Sequence, residues 1–61
     1  MKIEHYPRKS TVYDNRSKGE STAILRHDNQ WTVKDTRWTF PTRIEAVKAA
    51  TLLALAGWGQ W

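Results

Sequence analysis

The chain has 61 residues and a mass of 7.1 kDa, enough for one small domain, and a domain of this size buries only about 60% of the surface its unfolded form exposes. It contains no cysteine, so neither a disulfide nor a thiolate-bound metal braces it, and packing around four tryptophans or self-association must serve instead. Ten Lys and Arg against six Asp and Glu give a net charge of +4 and a pI near 9.9, which favours an anionic partner; the length excludes a multi-domain enzyme or a long parallel sheet.

Residues 1–20 differ in character from the rest. Met1 to Pro7 lacks the roughly 7–15-residue apolar core of a signal peptide. The segment carries Lys2, Arg8, Lys9, Arg16 and Lys18 against Glu4, Asp14 and Glu20, and few apolar side chains. Pro7 has no amide to give a ladder and holds Tyr6 extended. Asn15 to Gly19 reads as a loop, and Thr11–Asp14 as a short strand at most. The expectation is a flexible basic arm over 1–20, followed by one domain over 21–61.

Three strand candidates follow. Ala23 to His27 leads to Asp28-Asn29, residues that tolerate a tight hairpin; Gln30 to Lys34 alternates polar and apolar; Asp35-Thr36 is a second turn candidate, and Arg37 to Phe40 alternates again. Two-residue turns at both sites would set Ile24 opposite Val33, Val33 opposite Trp38, and Trp31 opposite Phe40. One face then collects Ile24, Trp31, Val33, Trp38 and Phe40, with Arg26 at its edge. The other collects Leu25, His27, Gln30, Thr32, Lys34, Arg37 and Thr39. Trp31 and Trp38 are expected in the core, with the Arg26 stem over the Trp31 ring.

The helix has the strongest signals. Thr42-Arg43-Ile44-Glu45 is a capping box, helix formers run from Arg43 to Ala56, and Gly57 is placed to end it. Ala46, Val47, Ala49, Ala50, Leu53 and Ala54 form one apolar sector. Ile44, Leu52 and Leu55 form a second stripe beside Lys48 and Thr51. The run Ala49 to Trp58 is well short of the roughly 20 residues of a membrane span. The fold expected is α+β, a three-stranded antiparallel β-meander packed on one C-terminal helix (βββα), in a cytoplasmic protein without a membrane partner.

No catalytic or metal-binding pattern is present: His5 and His27 stand alone, no nucleophile motif or glycine-rich loop occurs, and His27-Asp28 reads as strand end plus turn. The expectation is a non-enzyme with no cofactor and no metal. The outer sheet face offers His27, Gln30, Thr32, Lys34, Arg37 and Thr39 to a DNA major groove, and Arg8, Lys9, Arg16 and Lys18 offer charge to phosphates. An ordinary solvated face has the same composition. Trp58 and Trp61 either fold back onto the domain or, with Ile44, Leu52 and Leu55, anchor a homodimer or a host protein.

The order strand, Arg26-His27-Asp28-Asn29-Gln30-Trp31, strand, short turn, Arg37-Trp38-Thr39-Phe40-Pro41-Thr42, then Glu45-Ala46 opening an alanine-rich helix, resembles the N-terminal arm-binding domain of phage and transposon tyrosine integrases. The resemblance covers roughly Ala23 to Leu55. It implies a three-stranded sheet laid in the DNA major groove, with Thr32, Lys34, Arg37 and Thr39 facing the DNA and Arg26 and His27 nearby. It also implies a small phage or prophage accessory protein. The sequence departs from that family in its shorter link between the second and third strands, its two tail tryptophans, and the absence of a catalytic domain from these 61 residues. The leading expectation is a small DNA-binding protein; the alternative is a protein-interaction module working through the helix stripe and the tryptophan tail.

Overall fold

Tyr6-Pro7-Arg8-Lys9 closes as a two-residue turn in the computed structural model, which describes residues 1–58. Proline's fixed φ suits the first corner of such a turn. The segment expected as a flexible arm therefore builds two strands, β1 (Lys2–Tyr6) and β2 (Lys9–Tyr13). They join β3 (Glu20–Leu25), β4 (Trp31–Val33) and β5 (Thr39–Phe40) in one antiparallel meander ordered β1-β2-β3-β4-β5. The class is α+β as expected, but the sheet has five strands, not three.

The β3–β4 register is also corrected. Ala23, not Ile24, lies opposite Val33, and Leu25 lies opposite Trp31. The loop is one residue longer than a two-residue turn: Arg26 N–H donates to Gln30 O at 2.7 Å, Asn29 N–H donates to Arg26 O, and Asn29 alone takes a positive φ of 63°. A tight primed turn would need two such residues, and no glycine is present to ease the second. This one-residue slip reverses every side chain of β3. Ser21 and Ala23 point inward and are buried, while Ile24 points out and is 37% exposed.

The β4–β5 register is as expected, with Trp31 opposite Phe40. Trp38, however, is 51% exposed and not in the core. The strand β5 is only two residues long, and Asp35, at φ 65°, turns the preceding loop before Trp38 can enter the ladder.

The helix α1 (Arg43–Leu55) starts at Thr42, whose Oγ1 accepts from Glu45 N–H at 3.3 Å. It ends in a Schellman motif: Gly57 takes φ 81° and donates to Ala54 O, and Trp58 N–H donates to Leu53 O. Ala46, Ala50 and Ala54 are fully buried against Val12, Ala23, Trp31 and Val33, with Val47, Ala49, Leu53 and Phe40 at the margins. An alanine ridge lets the helix approach closely, so the sheet positions beneath it are small as well: Ser10, Ser21 and Ala23. Arg43, not Arg26, covers Trp31: its guanidinium lies 4.6 Å from the ring centroid and donates to Pro7 O at 2.8 Å. The Arg26 side chain instead turns outward to Asp28 at 4.0 Å.

The helix C-terminus is docked on the β2–β3 loop. Glu20 N–H donates to Trp58 O at 2.7 Å, and Asp14 N–H donates to Gly19 O at 2.9 Å. The Ser17 hydroxyl sits 2.6 Å from Ala54 O and 2.7 Å from Asp14 Oδ2, so its single hydrogen serves one acceptor at a time. Among the described residues, no helix is long and apolar enough to cross a membrane.

Candidate nucleic-acid interface

The strand registers fix which side chains share the face opposite the helix. Reading across the sheet, one row holds Tyr6, Lys9, Ile24, Thr32 and Thr39. The next holds Glu4, Thr11 and Thr22, continued by Lys34, whose N–H donates to Thr22 O at 2.8 Å. A third holds Lys2, Tyr13 and Glu20. All of these but Lys2, Thr32 and Thr39 line a shallow concavity of about 350 Å³.

Two halves of this face differ in charge. On the β1 side, Glu4 is 3.8 Å from Lys2 Nζ and accepts from the Tyr6 hydroxyl at 2.9 Å. That hydrogen bond, reinforced by the carboxylate's charge, holds the Tyr6 phenol above its ordinary pKa; the Glu20 carboxylate does the same to Tyr13. The other half runs from Lys9 through Thr11, Thr22, Ile24 and Thr32 to Lys34 and Thr39. None of these positions is itself a carboxylate, although Glu20 of β3 stands on the same face one row beyond Thr22. Lys9 Nζ rests 5.2 Å over the Tyr6 ring, and the Thr11 and Thr22 hydroxyls are 3.3 Å apart. Thr32 Oγ1 donates to Trp38 O at 2.8 Å, which ties the β4–β5 loop to the sheet.

The residues expected to touch DNA are therefore only partly gathered. Lys9, Thr32, Lys34 and Thr39 share the outer face, and Arg37 is exposed in the loop that follows Lys34. Leu25, expected on this face, points to the helix side with Trp31. Arg8 lies in the β1–β2 turn and His27 and Gln30 in the β3–β4 loop, all at one end of the sheet. Arg16 and Lys18 lie at the other end, in the β2–β3 loop. Thr11, Thr22 and Ile24 belong to the face and are new to it. The signal for Thr11 was the alternation of β2, which becomes visible once Pro7-Arg8 is read as a turn; that for Thr22 was the alternation of β3.

One pair with catalytic geometry does form: His5 Nδ1 is 2.8 Å from Ser10 Oγ. Ser10 is fully buried, however, so its hydroxyl is out of reach of a substrate. Among the described residues, no group of three or more His, Asp or Glu side chains is gathered as a metal site. Of the alternative interface, Ile44 and Leu52 are each 69% exposed and Leu55 is 50% exposed. Trp58 is half-buried and tied by its backbone to both Leu53 and Glu20, whereas Trp61 lies outside the described residues.

Compared with known proteins, the chain matches no family model, no curated protein and no solved structure.

Proposed function

We propose that this chain binds duplex DNA through the lysine- and threonine-bearing band of its outer sheet face. The observation that supports the reading is the band Lys9, Thr22, Thr32 and Thr39 on β2 to β5, with Lys34 at the end of β4 and Arg37 beside it. Lysine and arginine neutralise phosphates and read guanine, and threonine offers both a hydroxyl and a methyl to base edges.

Dimensions select the part that enters a groove. Five strands at about 4.8 Å spacing make a face roughly 19 Å wide, against a major groove of about 12 Å. The β4–β5 ribbon, one short edge of the sheet, fits; β1, with Glu4 and its phenol partner, stays outside, where its negative charge does not meet phosphate. In this pose Thr32, Thr39 and Lys34 face the groove, and Lys9 and Arg8 flank it.

The test is a fluorescence-anisotropy titration of a random duplex at several salt concentrations. Replacing Lys9 and Lys34 together with Ala removes two cations from exposed positions, so the fold, checked by circular dichroism, should survive. If both contact phosphate, the slope of log K against log salt becomes shallower by about 1.8. No binding by the parent at low salt, or an unchanged slope in the variant, overturns the proposal.

The exposure of Ile44, Leu52 and Leu55 favours a second reading, a protein-interaction module acting through the helix stripe. In that case Leu52→Asp or Leu55→Asp abolishes association, and the association is insensitive to salt.

A further inference from the structure

Among the described residues nothing pairs with the outer edge of β1, and its chemistry is self-complementary. On β2, the even-numbered residues turn their backbone groups toward β3, since Leu25 N–H donates to Arg8 O and Asp14 N–H donates to Gly19 O. The alternation of an antiparallel ladder then turns Lys9, Thr11 and Tyr13 toward β1, where they meet Tyr6, Glu4 and Lys2. Ile3 and His5 are left with N–H and C=O groups that point away from the sheet. No proline, bulge or positive φ interrupts Lys2–Tyr6 to blunt this edge. The helix packs over β2 to β5 and leaves β1 outside its footprint, so Ile3 and Met1 are 41% and 54% exposed.

We propose that two copies of this chain pair through antiparallel β1 edges, giving a continuous ten-stranded sheet with both helices on one side. The free backbone groups sit on odd-numbered residues, so only registers that pair odd with odd make hydrogen bonds. Three such registers fall within the strand. Centring the twofold axis on Glu4 sets the two Glu4 carboxylates opposite each other. Centring it on His5 sets Lys2 opposite Arg8 of the second copy. Centring it on Ile3 sets Lys2 opposite Glu4 of the second copy, twice by symmetry, with Ile3 against Ile3. Charge therefore selects the third register. In it the Ile3 residues exchange their free N–H and C=O groups and cover one another on the helix side, where each monomer leaves them in water. On the opposite face, Lys2 and Glu4 already lie 3.8 Å apart within one strand, so the dimer gathers four alternating charges. This pairing uses the outer edge of β1, whereas the nucleic-acid reading rests on side chains of β2 to β5, of which Lys9 lies opposite Tyr6.

The experiment is sedimentation equilibrium on the full chain from about 1 μM to about 1 mM, a range that captures even a weak pairing. Three β1 variants are compared, each checked by circular dichroism. Ile3→Pro removes an outward-pointing donor together with the Ile3 side chain that packs across the axis, and is compatible with an edge strand, so it should keep the monomer fold and lose the dimer. Glu4→Lys sets like charges opposite each other and should weaken the dimer about tenfold or more. Lys2→Glu with Glu4→Lys restores opposite charges and should return affinity close to that of the parent. Leu52→Asp, on the helix stripe, should leave the dimer intact. A parent that remains monomeric at about 1 mM overturns the proposal, as does a dimer that survives Ile3→Pro or is lost with Leu52→Asp.

Discussion

Gly19 sits where the β2–β3 loop crosses the end of the helix, and it is the position least able to accept a side chain. A Cβ built there would lie 2.8 Å from the Ala54 carbonyl carbon, and nearer still to its oxygen, where ordinary contact begins at 3.4 Å. Relieving that overlap moves backbone against backbone by at least half an ångström, because no flexible side chain intervenes. The contacts that depend on this spacing are the Ser17 hydroxyl to Ala54 O, Asp14 N–H to Gly19 O, and Glu20 N–H to Trp58 O. If two are lost at about 1 kcal/mol each, and overpacking adds about 1 kcal/mol more, Gly19→Ala costs about 3 kcal/mol. A 61-residue domain has a total stability of only about 3–9 kcal/mol, so the variant should be largely or partly unfolded. Urea titration followed by tryptophan fluorescence should show the midpoint falling by about 2–3 M for a slope near 1 kcal/mol per M. Asn15→Ala, an exposed change in the same loop, should stay within about 0.5 kcal/mol of the parent. A Gly19→Ala loss as small as that of Asn15→Ala would refute the close docking of loop on helix.

Three further outcomes follow from the same coordinates. Ser21 Oγ is buried without a hydrogen-bond partner, so Ser21→Ala should stabilise the fold by about 1 kcal/mol in the same urea assay. Ala23 is fully buried and Ile24 faces out, so Ala23→Leu should cost about 1–3 kcal/mol while Ile24→Thr costs under about 1; the opposite order would restore the two-residue turn. Asp14 accepts from the Ser17 hydroxyl and amide, which hold its pKa below the ordinary 3.8. A depressed carboxylate stabilises the fold fully above its unfolded pKa and loses that contribution as pH falls through the folded value. The parent should therefore exceed Asp14→Asn in stability near neutral pH, and the two should converge below the folded pKa; parallel curves at all pH values would contradict the assignment.

The helix was legible because its signals are local. Thr42 and Gly57 each act on backbone groups within a turn or so of themselves, and the alanine ridge is visible as a periodicity; of the capping box, only the Thr42 half forms among the described residues. The β3–β4 register was not, because it depended on whether Asp28-Asn29 closes the hairpin alone or shares it with His27. That is a choice of one residue, decided by Asn29 alone adopting a left-handed conformation. The first two strands were hidden for a different reason. A search for apolar alternation passes over β2 and the start of β3, where the inward positions include Ser10 and Ser21. Serines occupy them because the helix presents alanines there, so little room is left for larger groups. Of the candidate interface, Thr32, Lys34 and Thr39 were placed correctly from alternation within β4 and β5. Thr11 could not be placed until β2 was known to be a strand, nor Thr22 until the register of β3 was known. Trp38 was misread because two-residue pairing at β5 ends before reaching it.

The close fit of alanine on serine and alanine also explains why so much apolar surface remains outside. Among the described residues the largest fully buried side chains are Val12 and Val33, and Trp31 is the one large aromatic among the buried members of the core clusters. Ile3 lies outside the helix footprint, Ile24 on the opposite sheet face, Trp38 in the loop before β5, and Ile44, Leu52 and Leu55 on the exposed side of the helix, so none of them packs into the core. Association is the route left for burying them. Binding that favours the folded state stabilises it by mass action, so a partner, whether DNA or a second copy, adds to a core that is thin by construction. The two make different demands on concentration and salt. A second copy raises the melting temperature as protein concentration increases, with the charge pairs at Lys2 and Glu4 making only a modest salt response. DNA raises it at fixed protein concentration and steeply loses its effect as salt increases. Melting curves on a grid of protein concentration and salt, with and without duplex, therefore separate the β1 edge from the threonine band within one set of samples.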